Sequence, residues 1–208
     1  MTKKGNLFIV SGPTAAGKGT ICAKLCERRQ DIKVSISCAT RAPRNNEVNG
    51  VHYFFINDEE FDRMIDAGEL LEHADVHGKK YGTPRKFVMD MLDVGSDVIL
   101  EIDVQGASQV MSHAGISLTE VFVLPPSKDI LLERLRNRGT ETEEQIAVRI
   151  KNVEAELAEA QHYGYVIINS DLESAVRCLE AIIDASHARR EEHEALLHEL
   201  CQQFQEEG

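Results

Sequence analysis

The sequence predicts an α/β fold, a central parallel sheet wrapped by helices, with a phosphate-binding loop at one edge of the sheet. Three observations carry this. Four short apolar runs, Leu7–Val10, Val98–Ile102, Val121–Leu124 and Tyr165–Ile168, are continuous rather than alternating, as in strands buried on both faces. Helical patterns lie between them, and strand–helix alternation favours parallel pairing. Between the first run and the first helix stands Ser11–Thr20, "SGPTAAGKGT".

The elements follow in order. Gly17 to Arg29 reads as the first helix. Residues 33–83 hold short strand-like pieces (Val34–Ser37, Tyr53–Ile56, Leu70–Val76) around a helix, with Asn57 as its cap and Glu60 at the capping-box spacing. They read as a small lobe inserted after the first helix. Gln105 to His113 follows the second apolar run. Ser127 to Arg138 follows the third, after Pro125-Pro126, with Ser127 as a helix N-cap. The stretch from about 134 to 162 is helical and rich in charge, with few large apolar residues, so it is expected to lie over the body. A last helix is predicted from Asp171 to about Leu200, and the chain's final stretch is amphipathic, with Ala195, Leu196, Leu200 and Phe204 near one face. That face packs on its own domain or forms a contact in a homo-oligomer.

A length of 208 residues suits one domain with inserted lobes. The formal charge of −12 repels nucleic acid and anionic membrane, so neither is expected as a partner, and an anionic metabolite would need a local basic pocket. The five cysteines form no Cys-x-x-Cys and are odd in number, which fits free thiols in a reducing compartment. With no signal-peptide pattern and no membrane-length apolar run, a cytoplasmic location is expected.

Five motifs bear chemistry. In Gly12-x-x-x-x-Gly17-Lys18-Gly19-Thr20, glycines let backbone N–H groups approach phosphate oxygens, the following helix aims its positive end at them, and Lys18 adds a mobile charge. Gly19 stands where a metal-ligating hydroxyl is usual, and Thr20 carries the nearest one. Arg41 and Arg44 flank Pro43 in a loop with Ser37, Thr40 and Tyr53. Guanidinium forks bind phosphate bidentately, although the same stretch also reads as a solvated basic loop. In "ELLEHADVHGKKYGT", Glu72 could accept two N–H bonds from the edge of guanine, with Thr83 donating to a base carbonyl and Tyr81 to a phosphate; on this stretch alone, Glu72 reads rather as a rim salt bridge. Glu101 and Asp103 end a buried strand at the edge that faces ligands in parallel sheets, where a carboxylate can hold Mg²⁺ or cap the next helix. Arg134, Arg138 and Arg149 either serve a lid over transferring phosphates or belong to a salt-bridged solvated helix.

Taken together, "TRAPR", "GVHYFF", "LLEHADVHGKKYGT", "LEIDVQGA", "VFVLPPS" and "RLRNRG", in that order and spacing, resemble the guanylate kinase family. The resemblance runs from Ser11 to about Asn169. It implies a P-loop kinase with an inserted GMP-binding lobe (about 34–83), a helical lid (about 130–162) and a core formed by about 1–33, 84–129 and 163–208. It implies transfer of the γ-phosphoryl group of ATP to GMP, and to dGMP, in purine nucleotide metabolism, with Mg²⁺ accompanying ATP. The rival is a non-catalytic guanylate-kinase-like module that binds a protein ligand; Lys18 and the lid arginines speak for the enzyme.

By the same resemblance, ATP is held by Gly12, Pro13, Thr14, Ala15, Ala16, Gly17, Lys18, Gly19 and Thr20, with Arg134, Arg138 and Asn169. GMP is held by Ser37, Arg41, Arg44, Tyr53, Glu72, Tyr81, Thr83 and Asp103. Lys18, Arg41, Arg138 and Arg149 carry most of the catalytic charge. This chain departs from the family loop at Ala15, where a glycine is usual, and at Gly19, where a hydroxyl residue is usual. Cys38-Ala39 and Asn45-Asn46 also replace common family residues.

Overall fold

The computed structural model describes residues 4–44, 47–76, 78–112, 118–137 and 143–206. Five parallel strands form the main sheet in the order β2-β7-β1-β8-β9: β1 (Leu7–Ser11), β2 (Ile32–Val34), β7 (Asp97–Glu101), β8 (Leu118–Leu124) and β9 (Tyr165–Ile168). Every pairing is parallel, with Ile9 opposite Leu100 on one side of β1 and opposite Glu120 on the other. Each predicted apolar run is one of these strands.

Alternate side chains of the sheet feed two cores. Phe8, Val10, Ile99, Val121, Val123 and Ile167 face α1 (Lys18–Arg28) and α7 (Leu172–Ser186). Leu7, Ile9, Val98 and Leu100 face α3 (Arg85–Asp93) and α4 (Val104–Met111). Burying β1, β7 and β8 on both faces in this way explains their continuous apolar character, whereas β9, read as the same kind of strand, is the sheet's edge and leaves Val166 and Ile168 exposed. Helix α3 is not announced by the apolar runs; Val88 and Leu92, one turn apart, are its buried anchors.

A second, four-stranded sheet has the order β4-β3-β6-β5, from β3 (Cys38–Ala39), β4 (Phe54–Phe55), β5 (Leu70–Val76) and β6 (Lys79–Pro84). It carries α2 (Asp58–Asp66), whose N-cap Asn57 accepts from the Glu60 amide at 2.8 Å, at the expected spacing. Its own small core joins Cys38, Phe61 and Leu70. One reading is corrected here. Val34 does not open this sheet but ends β2, the edge of the main one, opposite Ile99. β6, unassigned from sequence, pairs antiparallel with both β5 and β3, and so aligns Thr83 with Glu72.

α5 (Lys128–Asn137) begins after Ser127, whose hydroxyl accepts from the Ile130 amide at 3.3 Å. From α6 (Glu143–Ala158), Ile150 and Val153 join Leu131, Leu135 and Ala15 in one apolar cluster. The charged stretch therefore does lie over the body, on the phosphate loop.

The single helix predicted over 171–200 is two. Asp171 caps α7, accepting from the Ser174 amide at 2.8 Å. After Ser186 the chain is pinned: His187 Nε2 meets Asp97 at 2.8 Å, and Asn6 Nδ2 donates to the Ser186 hydroxyl at 3.1 Å. Those anchors hold the chain to the sheet, and Arg189 is extended (φ −61°, ψ 143°). A 3₁₀ turn (Arg190–His193) then leads into α8 (Glu194–Glu206). Leu196, Leu200 and Phe204 of α8 are exposed, so packing of that face on its own domain is not what the fold shows.

Candidate active site

The loop between β1 and α1 is built for close approach. Gly12 has φ +138°, and a Cβ there would stand 2.2 Å from the Val123 carbonyl oxygen. Gly17 has φ +96° and would meet the Asn169 side-chain nitrogen at 2.3 Å. Neither position admits a side chain. Ala15 does carry one at φ +60°, a conformation that costs about 1–2 kcal/mol in an L residue. Its methyl is buried in the cluster with Leu131, Leu135 and Val153, which offsets part of that cost.

The loop is held from outside. Asn169 Nδ2 donates to the Ala16 carbonyl at 2.8 Å, and Arg134 reaches both the Ala16 carbonyl (3.3 Å) and the Asn169 carbonyl (3.0 Å). Lys18 Nζ donates to the carbonyls of Gly12 (2.7 Å) and Pro13 (3.2 Å), so the ammonium stands over the loop. The N-terminal turn of α1 carries no acidic residue, which leaves its positive end available to an anion. Ala15, Gly17, Thr20, Arg134, Asn169 and Leu172 line an adjoining recess of about 320 Å³.

A second cleft, of about 230 Å³, lies where the small sheet meets the C-terminal end of β7. Ser37, Arg41, Arg44, Tyr53, Glu72, Tyr81 and Asp103 all line it, seven residues drawn from three separate stretches of sequence. Thr83, fully buried, donates its hydroxyl to Glu72 Oε1 at 2.6 Å, so it joins the group through Glu72. Glu101 also lines the cleft, and Ala74 and Ile102, which sequence reasoning did not single out, complete the lining.

At one end of this cleft is positive charge. Arg41 Nε donates to the Tyr81 hydroxyl at 3.0 Å, and its guanidinium lies over Tyr53, 5.0 Å from the ring centre. At the other end is Glu72, 5% exposed, packed so tightly over α4 that a Cβ on Gly106 would meet its Oε2 at 2.4 Å. Burial pushes the Glu72 carboxyl up to about 7; the Thr83 hydroxyl bond opposes the rise and the Asp103 charge adds to it. This is no rim salt bridge. Asp103 caps α4, accepting from the Gly106 amide at 2.8 Å, while it also lines the cleft. Of the two readings of that strand-end carboxylate, the helix cap is what the fold shows.

Glu101 joins the two halves. It lines the second cleft, and its carboxylate oxygens lie 3.1 and 3.2 Å from where a Cβ on Gly19 would stand. The space left by the missing loop hydroxyl therefore faces a carboxylate. Arg138 lies outside the described residues, as does the side chain of Arg149, whose backbone is in α6.

The sequence profile of the guanylate kinase family matches residues 4–186. The chain belongs to the guanylate kinase family. It is 48% identical over 187 residues to the guanylate kinase of Caldanaerobacter subterraneus subsp. tengcongensis, covering 90% of each chain. It is 50% identical to that of Carboxydothermus hydrogenoformans over 88% of this chain and 89% of the relative. With the Clostridioides difficile enzyme it is 42% identical over 99% of this chain and 98% of the relative. The crystal structure of guanylate kinase from Anaplasma phagocytophilum superposes with a TM-score of 0.73 at 33% identity, covering 91% of this chain and 89% of that one. The family, the fold and the kinase class read from the sequence are borne out, and the protein-binding module is not favoured.

Proposed function

We propose that the two clefts are the substrate halves of an ATP:GMP phosphotransferase, with ATP phosphates on the β1–α1 loop and GMP in the cleft of the small sheet. The chain is a guanylate kinase, giving ADP and GDP. The single observation that carries the assignment of the second cleft is Glu72 bonded to Thr83 within it. An ionised carboxylate accepts two N–H bonds from guanine, whereas the matching edge of adenine presents an acceptor and is repelled. Thr83 would act on the base through Glu72, because its hydroxyl proton is already given to that carboxylate rather than to a base carbonyl. At the opposite end, Arg41, Arg44, Tyr53 and Tyr81 form a cationic, hydroxyl-lined receptor for the monophosphate.

Lys18 would leave the loop carbonyls for ATP phosphate oxygens, and the loop amides with the α1 N-terminus would take the remaining charge. Arg41, Arg138 and Arg149 would offset charge on the transferring group. In-line transfer between bound phosphates needs no covalent enzyme intermediate, only alignment and charge neutralisation. The region from about 34 to 83 serves as the GMP lobe and that from about 130 to 162 as the lid. A cleft of about 550 Å³ between α4 and α6, lined by Gln105, Ser108, Asn152 and Glu156 among others, gives the lid room to close and exclude water.

The family implies a divalent cation, and Mg²⁺ suits the hard oxygen donors present here. Thr20, Glu101 and Asp103 would hold it, directly or through water. When bound with ATP, it neutralises charge between the β- and γ-phosphates.

Titration calorimetry with GMP tests the cleft assignment. Arg44→Met and Tyr81→Phe are expected to weaken GMP binding and leave ATP binding unchanged. Equal weakening of both nucleotides would contradict it.

A further inference from the structure

Glu47 is acidic, adjoins the basic loop, and has no part in the reading above. Its carboxylate takes Arg41 end-on, with Nη1 to Oε2 at 2.5 Å and Nη2 to Oε1 at 2.8 Å. Oε2 also accepts the backbone amide of Arg44 at 2.7 Å, while the Glu47 amide donates to the Arg44 carbonyl at 3.0 Å. One side chain therefore fixes one arginine by its guanidinium and the next by its backbone. Its side chain is 17% exposed, and it is not among the residues that line the cleft. The arginine hydrogen bonds hold its carboxyl down at about 2, so it stays charged throughout the working range.

The geometry of Arg41 sharpens what this does. A guanidinium has five N–H groups in a fixed fork. Among the described residues, Nε donates to Tyr81, Nη1 to Glu47 and to the Ala42 carbonyl (3.0 Å), and Nη2 to Glu47. These contacts take four of the five. Arg41 thus meets a ligand with its charge and one N–H, its orientation already set, and cannot present a bidentate fork without giving up a partner.

We propose that Glu47 is a positioning residue for the GMP phosphate, buttressing Arg41 from behind and locking the loop that carries Arg44. It rests on the reading of this cleft as the GMP site. Two roles were possible for such a carboxylate: a buttress, or an internal anion that competes for Arg41 and swings away. The two bonds that tie Glu47 to the Arg44 backbone, and its position outside the cleft lining, favour the buttress.

Steady-state kinetics of Glu47→Ala, Arg41→Met and the double variant test it, with unfolding midpoints measured alongside. Glu47→Ala is expected to raise KM for GMP on the order of tenfold and to lower kcat by a few-fold through Arg41, with KM for ATP within about twofold. The double variant should be worse than Arg41→Met alone by less than Glu47→Ala costs by itself, because part of the effect runs through Arg41 and the rest through the Arg44 backbone. If Arg41→Met raises KM for GMP while Glu47→Ala does not, the proposal fails and the cleft reading stands. If Glu47→Ala lowers KM for GMP, the carboxylate competes with the phosphate and the proposal is overturned. A rise in both KM values with a fallen midpoint marks a merely structural role and also overturns it. If Arg41→Met leaves GMP use unchanged, the cleft reading itself is wrong.

Discussion

Replacing Glu72 with glutamine should stabilise the free protein while crippling its use of GMP. The carboxyl rises from an ordinary 4.5 to about 7 in the fold. Between those values the unfolded chain ionises and the folded one does not, so the unfolded state binds fewer protons and stability falls as pH rises. The loss begins near the ordinary value, is complete above the raised one, and amounts to about 3 kcal/mol for a shift of this size. Glutamine does not titrate and can still accept the Thr83 hydroxyl bond. The stability gap between Glu72→Gln and the wild type should therefore widen from its value near about pH 4 to one larger by about 3 kcal/mol near about pH 8. Urea unfolding without nucleotide measures it. Guanosine, which lacks the phosphate that itself titrates near about pH 6, reports base recognition: its affinity for the wild type should fall about tenfold per unit below the raised pKa and level off above it. In the variant that pH dependence should vanish, and kcat/KM for GMP should drop on the order of a hundredfold, the cost of one mismatched charge-assisted bond. A stability gap that does not change with pH would refute the reasoning, because Glu72 would then not be a carboxylate made costly by burial.

Two further predictions concern the loop. Asn169→Ala removes the bond to the Ala16 carbonyl, and should raise KM for ATP more than KM for GMP and cost about 1–2 kcal/mol in unfolding experiments. Ala15→Gly should be close to neutral in stability: relief of the left-handed conformation, about 1–2 kcal/mol, is met by the loss of a buried methyl, about 0.8 kcal/mol, and by the greater freedom of glycine in the unfolded chain. A loss of several kcal/mol on denaturant titration would mean that the Ala15 methyl matters more than its backbone does.

Much of this architecture is legible in the sequence because the signals are local. Strands buried on both faces must be apolar throughout, so β1, β7 and β8 announce themselves; β9 carries a similar run at the exposed edge, and the glycine loop sits between a strand and a helix as its spacing demands. What is not legible depends on partners distant in the chain. β6 is polar and short of apolar residues, and is a strand only because β3 and β5 flank it. The break after α7 comes from Asp97 and Asn6, about ninety and a hundred and eighty residues away from their partners, which periodicity cannot report. Glu72 looks like a surface acid until α4 closes over it at Gly106. Glu47 and Glu101 act through neighbours, Arg41 in one case and the space beside Gly19 in the other, and neither relation has a spacing to recognise.

The central claim is that this fold reads guanine at Glu72 and phosphorylates the nucleotide so held. The most direct measurement is ADP formation with ATP and Mg²⁺ and each nucleoside monophosphate in turn, for the wild type and for Glu72→Gln. The account predicts turnover with GMP, far less with AMP, and a narrowed preference in the variant. Turnover with AMP equal to that with GMP in the wild type, or an unchanged preference in Glu72→Gln, would contradict it.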